Sequence, residues 1–319
     1  MRIGIAPSGL RSAAGAVRIA RQAEDAGLDE VWVSEDYTER GAFAVTGAMA
    51  AVTERVRIGI GVINPWTRHV VLTAMEAQAL DEIAGGRSIL GLGASNATWM
   101  SGRLGIEFAR PIAVLSEYTR ALRRLLAGEH VDDVVQGQHL RTALDAQPPR
   151  TIPLVWGVKG PRALELGAHE ADGLFLSVLS SPEYVRWVAA TYGTSELTAY
   201  ATFSLDPDRD AAVDRLREHT AKYLGLHGAS AITQHAGIDQ DVAAEIRRRF
   251  LAGEPATAHV DDAMVRAVTV AGTMEDAAAR MIAYRDAGLA SLVVIDDGGT
   301  DPEHLVDGVM AAARLAGLR

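Results

Sequence analysis

The chain of 319 residues contains no cysteine. That absence removes disulfides, thiolate nucleophiles and zinc–sulfur centres together. Excess positive charge is also lacking: 31 Lys and Arg stand against 41 Asp and Glu, a net charge of −10 spread along the chain. With no basic tract interleaved with aromatics, nucleic acid and anionic membrane are disfavoured as partners. No apolar run reaches the roughly 20 residues that a membrane helix needs. The opening MRIGIAPSG enters an apolar run at once, without a long hydrophobic region or a small-residue cleavage site. A soluble cytoplasmic protein is therefore the expectation. The nine histidines form no H-E-x-x-H or comparable spacing, so no metal is expected. No serine lies in G-x-S-x-G, which leaves nucleophilic hydrolysis with little support.

What the chain has is alternation. Apolar runs occupy 2–6, 30–35, 56–63, 87–93, 152–157, 172–177, 197–205 and 291–296. Helical patterns lie between and after them, at 13–26, 42–53, 70–84, 111–127, 161–169, 182–191, 209–224, 273–287 and 302–316. Continuous apolar runs are what buried parallel strands look like. Eight strand–helix units predict an α/β fold, a (β/α)8 TIM barrel forming a single domain over 1–319. Insertions are expected after the fourth strand, in 94–150, and after the seventh, in 225–271, where the sequence is helical and charged. An open doubly wound sheet is the alternative, but APSGLRSAAG is a poor dinucleotide fingerprint.

In such a barrel the functional residues sit at the C-terminal ends of the strands. The second strand ends in Ser34, Glu35, Asp36 and Tyr37, and the third in the polar stretch Asn64 to His69. The fourth yields Gly91, Gly93, Ala94, Ser95 and Asn96; the fifth yields Gly157, Val158, Lys159, Gly160, Pro161 and Arg162. The last three contribute Ser177, then Ser204 and Asp206, then Asp296 and Asp297. GLGASN and GVKGPRA both place glycines just before a helix, where free N–H groups and the positive helix end suit a phosphate. A tight turn with a helix cap is the plainer reading of either one alone. Glu35 and Asp36 would point to opposite sides if the strand persisted, so only one would face the mouth. A carboxyl in such a cleft can have its pKa raised enough to deliver a proton. A solvated or capping pair is the structural alternative. His69 reads as a polar loop residue rather than a metal ligand.

RIGIGVINPWTRHV, ALDEIAGGRSILGLGAS and VWGVKGPRALELGAHEADGLFLS, in this order, resemble the bacterial luciferase-like superfamily. They look closest to its deazaflavin-dependent branch, typified by methylenetetrahydromethanopterin reductase. The resemblance spans residues 1–205 and 268–319, and is weak across 225–267. It implies a barrel holding coenzyme F-420, an 8-hydroxy-5-deazaflavin, in its mouth, with FMN as the alternative. It implies a cis peptide at Gly61–Val62 against the ring, with Asn64, Thr67 and their neighbours up to His69 lining the pocket. Gly93, Ala94, Ser95 and Asn96, and Val158, Lys159, Gly160, Pro161 and Arg162, would hold the phosphate and side chain. Glu35 and Asp36 become the catalytic candidates, Glu35 facing the mouth and Asp36 capping or pairing, with Arg40 as one partner, or turning towards substrate if the strand has already ended. Tyr37 and His69 come next.

Two positions depart from the branch: Ala6 stands where such reductases carry an acid, and Glu35-Asp36 replaces an Asp-His pair. The implied activity is hydride transfer between the deazaflavin C5 and an imine or activated alkene of a small-molecule or peptide substrate. An FMN-dependent monooxygenase is the alternative, and a flavin-binding barrel without turnover is the third reading. The resemblance also implies a homodimer formed through barrel helices, to which the small apolar residues of 42–53 and 70–84 are suited.

Overall fold

Short runs of Val, Ile and Leu, buried on both faces, form the strands of the computed structural model. It describes residues 1–319 apart from 147, 149, 195 and 296–301. In chain order the strands are β1 (Arg2–Ala6), β2 (Glu30–Val33), β3 (Arg57–Ile63), β4 (Ser88–Gly93), β5 (Val131–Val135) and β6 (Gln138–Thr142). They continue with β7 (Leu154–Val158), β8 (Gly173–Leu176), β9 (Leu197–Leu205), β10 (Val270–Gly272) and β11 (Ser291–Ile295). Eight of them pair in parallel in the order β1-β2-β3-β4-β7-β8-β9-β11, and β11 returns to β1. The sheet is a closed barrel, as the alternation predicts.

The helices are α1 (Ala13–Ala26), α2 (Ala42–Ala50), α3 (Val70–Ile83), α4 (Ala97–Leu104), α5 (Pro111–Leu126), α6 (Pro161–Glu170) and α7 (Pro182–Tyr192). After β9 come α8 (Arg209–His227), α9 (Ala231–His235), α10 (Gln240–Ala252) and α11 (Asp262–Val268); α12 (Met274–Asp286) and α13 (Pro302–Leu315) close the chain. Helix α1 shows why such boundaries hold. Ser12 Oγ accepts from Gly15 N at its start, and Gly27 ends it at φ 94°, a conformation glycine adopts without a Cβ penalty.

The barrel interior is packed. The Trp32 ring crosses it so closely that a Cβ at Gly59 would collide with the indole. Phe175 stands edge-on to Trp32 at 4.6 Å and lies 4.4 Å from Tyr200. At the opposite end from the mouth, Glu30 is fully buried. It accepts from Arg2 Nε (2.6 Å), Arg57 Nη1 (2.9 Å), Trp32 Nε1 (2.9 Å) and Ser291 Oγ (2.8 Å). A buried carboxylate is tolerable there because both oxygens are paired and two guanidiniums face it.

Several boundaries differ from the sequence reading. β2 ends at Val33 rather than at residue 35, and α2 ends at Ala50 rather than 53. The insertion after β4 contains α4 and the β5–β6 hairpin, and β10 adds three residues beside the end of β9. Helix α8 runs to His227, three residues beyond the expected end at 224. Asp296 and Asp297 lie outside the described residues.

Candidate active site

β3 carries one residue more than its neighbour before it enters the mouth: Ile60 pairs with Leu90 and Ile63 with Leu92. The Gly61–Val62 peptide in this bulge is cis, as the resemblance implies. Two consecutive residues consequently face inward. A Cβ on Gly61 would collide with the Phe175 ring and lie 2.8 Å from Tyr200 Oη, and Tyr200 Oη donates to Gly61 O at 2.6 Å. The Val62 side chain lies over three glycines. Cβ atoms at Gly91, Gly93 and Gly157 would come within 2.9, 2.5 and 2.7 Å of its methyl groups. The glycines of GLG and of WGV therefore seat Val62, a packing role that their reading as phosphate turns did not include.

Past the bulge, Asn64 is buried and its side chain organises its own loop. Oδ1 accepts from Trp66 N (2.9 Å) and Thr67 N (3.1 Å), while Nδ2 donates to Thr67 Oγ1 (2.9 Å). His69 caps α3, with Nδ1 accepting from Val71 N at 3.3 Å. Arg68 turns back across the loop. Its Nε and Nη2 each donate to Glu35 at 2.6 Å, Nη1 pairs with Glu76, and the guanidinium lies 4.9 Å from the Phe43 ring centre. Glu35 also accepts from Ala42 N at 3.4 Å, at the start of α2, where Gly41 provides no side-chain cap.

Both oxygens of Glu35 are therefore engaged by Arg68 and the start of α2. β2 ends at Val33, so strand alternation stops before Glu35 and Asp36 and does not decide where either points. Asp36 is the half-buried carboxylate, accepting from Ser34 Oγ at 3.2 Å. Burial pushes its pKa up, against opposing contributions from Ser34 and the Lys222 ammonium. The expected pairing with Arg40 does not form; Arg40 donates to Gly9 O (2.8 Å) and Leu10 O (3.1 Å). The Tyr223 hydroxyl is pushed up to about 12 by burial, with Asp36 and Glu39 adding to the shift.

Tyr37 reaches across to the end of β4, where its hydroxyl donates to Ser95 Oγ at 2.7 Å. Burial raises that phenol to about 12. Ser95 stands at φ 59°, and Asn96 beyond it caps α4 by accepting from Trp99 N at 3.1 Å. Ala94, between Gly93 and Ser95, is partly buried. Of the fourth-strand candidates, Gly93, Ser95 and Asn96 thus have their space or polar atoms engaged by the protein itself.

At the end of β7 the arrangement differs. Gly160 caps α6 without a side chain, Pro161 occupies the first turn, and a Cβ on Gly160 would meet nothing within 4 Å. The Lys159 carbonyl accepts from Tyr184 Oη at 2.7 Å, and Val158 is buried beneath it. Lys159 is exposed as a residue and, among the described residues, its ammonium is paired with no carboxylate. Its partner is the imidazole of His227, with Nζ 3.1 Å from Nδ1. Surrounding protein and the charge of Arg247 push Lys159 down to about 8. His227 is buried, lies 3.4 Å from Ser177 Oγ through Nε2, and is pushed down to about 3 by burial and by Lys159. Ser204 and Asp206, by contrast, contact Arg215 of α8 and anchor that helix.

Sequence reasoning missed His227, Lys222, Tyr223 and Tyr200. Tyr200 carried a signal, as an inward position of LTAYATFSL; Lys222 and Tyr223 lie within the expected helix 209–224 but at no strand end, and His227 lies in the turn beyond it. As a whole, the mouth suits an anionic, partly flat ligand. Val62 forms an apolar shelf, the α6 N–H groups have no side-chain cap, and a cation without a carboxylate partner stands beside them.

The model of the luciferase-like monooxygenase family matches residues 2–291. A 5,10-methylenetetrahydromethanopterin reductase of Methanolobus tindarius is 28% identical over 303 residues, covering 90% of this chain and 91% of the relative. An F-420-dependent glucose-6-phosphate dehydrogenase of Amycolatopsis mediterranei is 27% identical over 297 residues, covering 87% and 86%. The solved coenzyme F-420-dependent tetrahydromethanopterin reductase of Methanopyrus kandleri superposes with a TM-score of 0.82 at 24% identity, over 97% of both chains. The match runs through β1 to β10 and reaches the first residue of β11, and the chain belongs to the luciferase-like monooxygenase family.

Proposed function

We propose that the chain is a coenzyme F-420-dependent oxidoreductase that moves a hydride between the deazaflavin and an imine or activated alkene of a small-molecule substrate. The observation that carries this reading is the nearly full-length match to proteins named as reductases and dehydrogenases, two of them by their F-420 dependence. The features of the mouth support it. Val62 would bear on the ring, and Lys159, Gly160 and Pro161, with Val158 beneath them, would meet the negatively charged tail. Gly93, Ala94, Ser95 and Asn96 would border it from β4, and Asn64 would fix the loop that carries Thr67 to the rim. Bound there, the cofactor supplies the C5 position at which a hydride is given or taken.

The chain's own contribution is the proton and the orientation. Asp36 would hold the proton on its carboxyl, delivering it to the substrate atom next to the one that receives the hydride, and accepting it in the reverse direction. Its raised pKa favours the protonated acid. Glu35 would keep Arg68 and the β3–α3 loop in place instead. Tyr200 would steady the Gly61 carbonyl beneath the ring, and Tyr223 on α8 would help exclude water from the substrate side.

The family model is described as that of a monooxygenase, which favours an FMN-dependent monooxygenase as the second reading. Titration with each cofactor, followed by fluorescence quenching, separates the two. Tighter binding of coenzyme F-420 than of FMN is expected; the reverse order would promote the monooxygenase.

We further propose a cytoplasmic homodimer. No helix among the described residues is long and apolar enough to cross a membrane. Leu72, Met75 and Ile83 on the outer face of α3 are 54, 53 and 53% exposed, a face suited to a second copy of this chain.

A further inference from the structure

We infer that His227 is a positioning residue: it fixes the Lys159 ammonium beside the α6 N-terminus so that an anionic group can be held there, and makes that site depend on the insertion after β9. The geometry is a short chain of contacts between three barrel elements. Lys159 lies at the C-terminal end of β7, Ser177 just past β8, and His227 in the last turn of α8. The Lys159 ammonium can only donate, so the imidazole Nδ1 at 3.1 Å must accept. That leaves Nε2 as the protonated nitrogen, 3.4 Å from Ser177 Oγ. The ring is buried between these partners and has a fixed direction.

The charged groups around the ammonium make the neutral ring necessary. Arg247 of α10 adds positive charge, and its guanidinium is itself held by the carbonyls of Gly225 (3.3 Å) and Leu226 (2.8 Å). Arg162 follows on α6, Tyr184 of α7 binds only the Lys159 carbonyl, and no carboxylate among the described residues pairs with the ammonium. A second cation at 227 would be repelled, whereas an apolar residue would leave Lys159 with no acceptor. Burial keeps the imidazole uncharged throughout the neutral range, consistent with a pKa pushed down to about 3. The anion expected there rests on the deazaflavin reading; the hold on Lys159 does not.

Trace acetylation of the free protein across pH, mapped to Lys159 by mass spectrometry, reads the ammonium directly. In the unsubstituted chain the labelling midpoint should lie near pH 8. His227→Leu removes an acceptor from a charged donor and should lower the midpoint by about one pH unit or more, raising labelling at pH 7 about fivefold. His227→Gln can still accept from Lys159 and donate to Ser177, so it should keep the original midpoint. Far-ultraviolet circular dichroism of each variant confirms the fold. If His227→Leu stays folded with an unchanged midpoint, or His227→Gln moves the midpoint as far as His227→Leu does, the inference fails. In the same assay, added coenzyme F-420 should protect Lys159 in the unsubstituted chain and in His227→Gln. Midpoints that move as expected without protection by coenzyme F-420 would uphold His227 and sink the deazaflavin reading at this site. Protection with equal midpoints in all three proteins would do the opposite.

Discussion

Glu35 and Asp36 are neighbours of the same chemical type with different surroundings, and their substitutions should separate accordingly. Asp36→Asn cannot hold or deliver the proton and is expected to lower hydride transfer by about 10²–10⁴-fold, with coenzyme F-420 affinity within a few-fold. In the direction that uses the protonated acid, the rate of the unsubstituted enzyme should fall as pH rises through the raised Asp36 pKa. Glu35→Gln loses the paired bonds from Arg68 and is expected to cost about 1–3 kcal/mol of stability, read as a lower urea midpoint, while retaining most turnover. Full activity in Asp36→Asn together with loss in a folded Glu35→Gln would restore the sequence-based assignment. His227 predicts a separate acid effect. Burial pushes it down from its ordinary value of 6.5 to about 3, so between these values the unfolded chain binds the extra proton. Stability from this group is therefore complete above pH 6.5 and declines as pH falls, by about 1.4 kcal/mol per pH unit. The difference in unfolding free energy between the unsubstituted chain and His227→Gln, measured from pH 7 to pH 4.5, should show this slope.

Elements explain which parts of the molecule the sequence revealed. The eight barrel strands were legible because strands buried on both faces leave continuous apolar runs, and the TRH turn after β3 marked the mouth. The β5–β6 hairpin left no such run, because VDDVV and QHLRT bury only Val131, Val135 and Leu140 and expose polar residues between them. Its signal was the pair Gln136-Gly137, both at positive φ (54° and 75°), the geometry of a two-residue hairpin turn. Helix α8 hid its last turn behind Gly225, which reads as a breaker but is a packing notch. A Cβ there would lie 2.5 Å from Phe250 of α10. His227 was lost with that turn. Glycines with the same kind of role under Val62 carry a further prediction. Gly157→Ala places a methyl group 2.7 Å from the Val62 side chain, where the Leu92 carbonyl and the strands on either side leave little room to retreat. Val62 should be displaced into the mouth, weakening coenzyme F-420 binding by about tenfold or more while costing about 1–3 kcal/mol of stability. Unchanged affinity in a folded Gly157→Ala would mean that the shelf is not part of the cofactor site.

At the scale of the whole molecule, α3 is apolar on two opposite sides, which a helix covering a barrel does not require. Val70, Thr73, Ala74, Ala77 and Leu80 turn inward and are buried. Leu72, Met75, Ala79 and Ile83 recur at spacings of three and four on the outer side, all exposed, on a chain that carries a net charge of −10. Helix α2 lies beside it with Ala44 and Ala48 exposed, so two helices offer an apolar stripe bordered on α3 by Glu76 and Glu82. Pairing this face with its copy would remove both stripes from water together, and a stable dimer needs about 1,200–2,000 Å² of buried surface. Ile83 is the informative position. It ends α3, whereas His69 at the mouth begins it, about 20 Å away along the helix axis. Ile83→Glu should therefore weaken the dimer by tenfold or more, because two carboxylates would face an apolar contact without partners. Coenzyme F-420 affinity of the separated protomers should stay within about twofold, since Ile83 lies at the far end of α3 from the mouth. Sedimentation velocity at micromolar concentration measures the first effect and fluorescence titration the second. An unsubstituted chain that sediments as a monomer would rule out the dimer, and an Ile83→Glu dimer of unchanged strength would move the interface to another face.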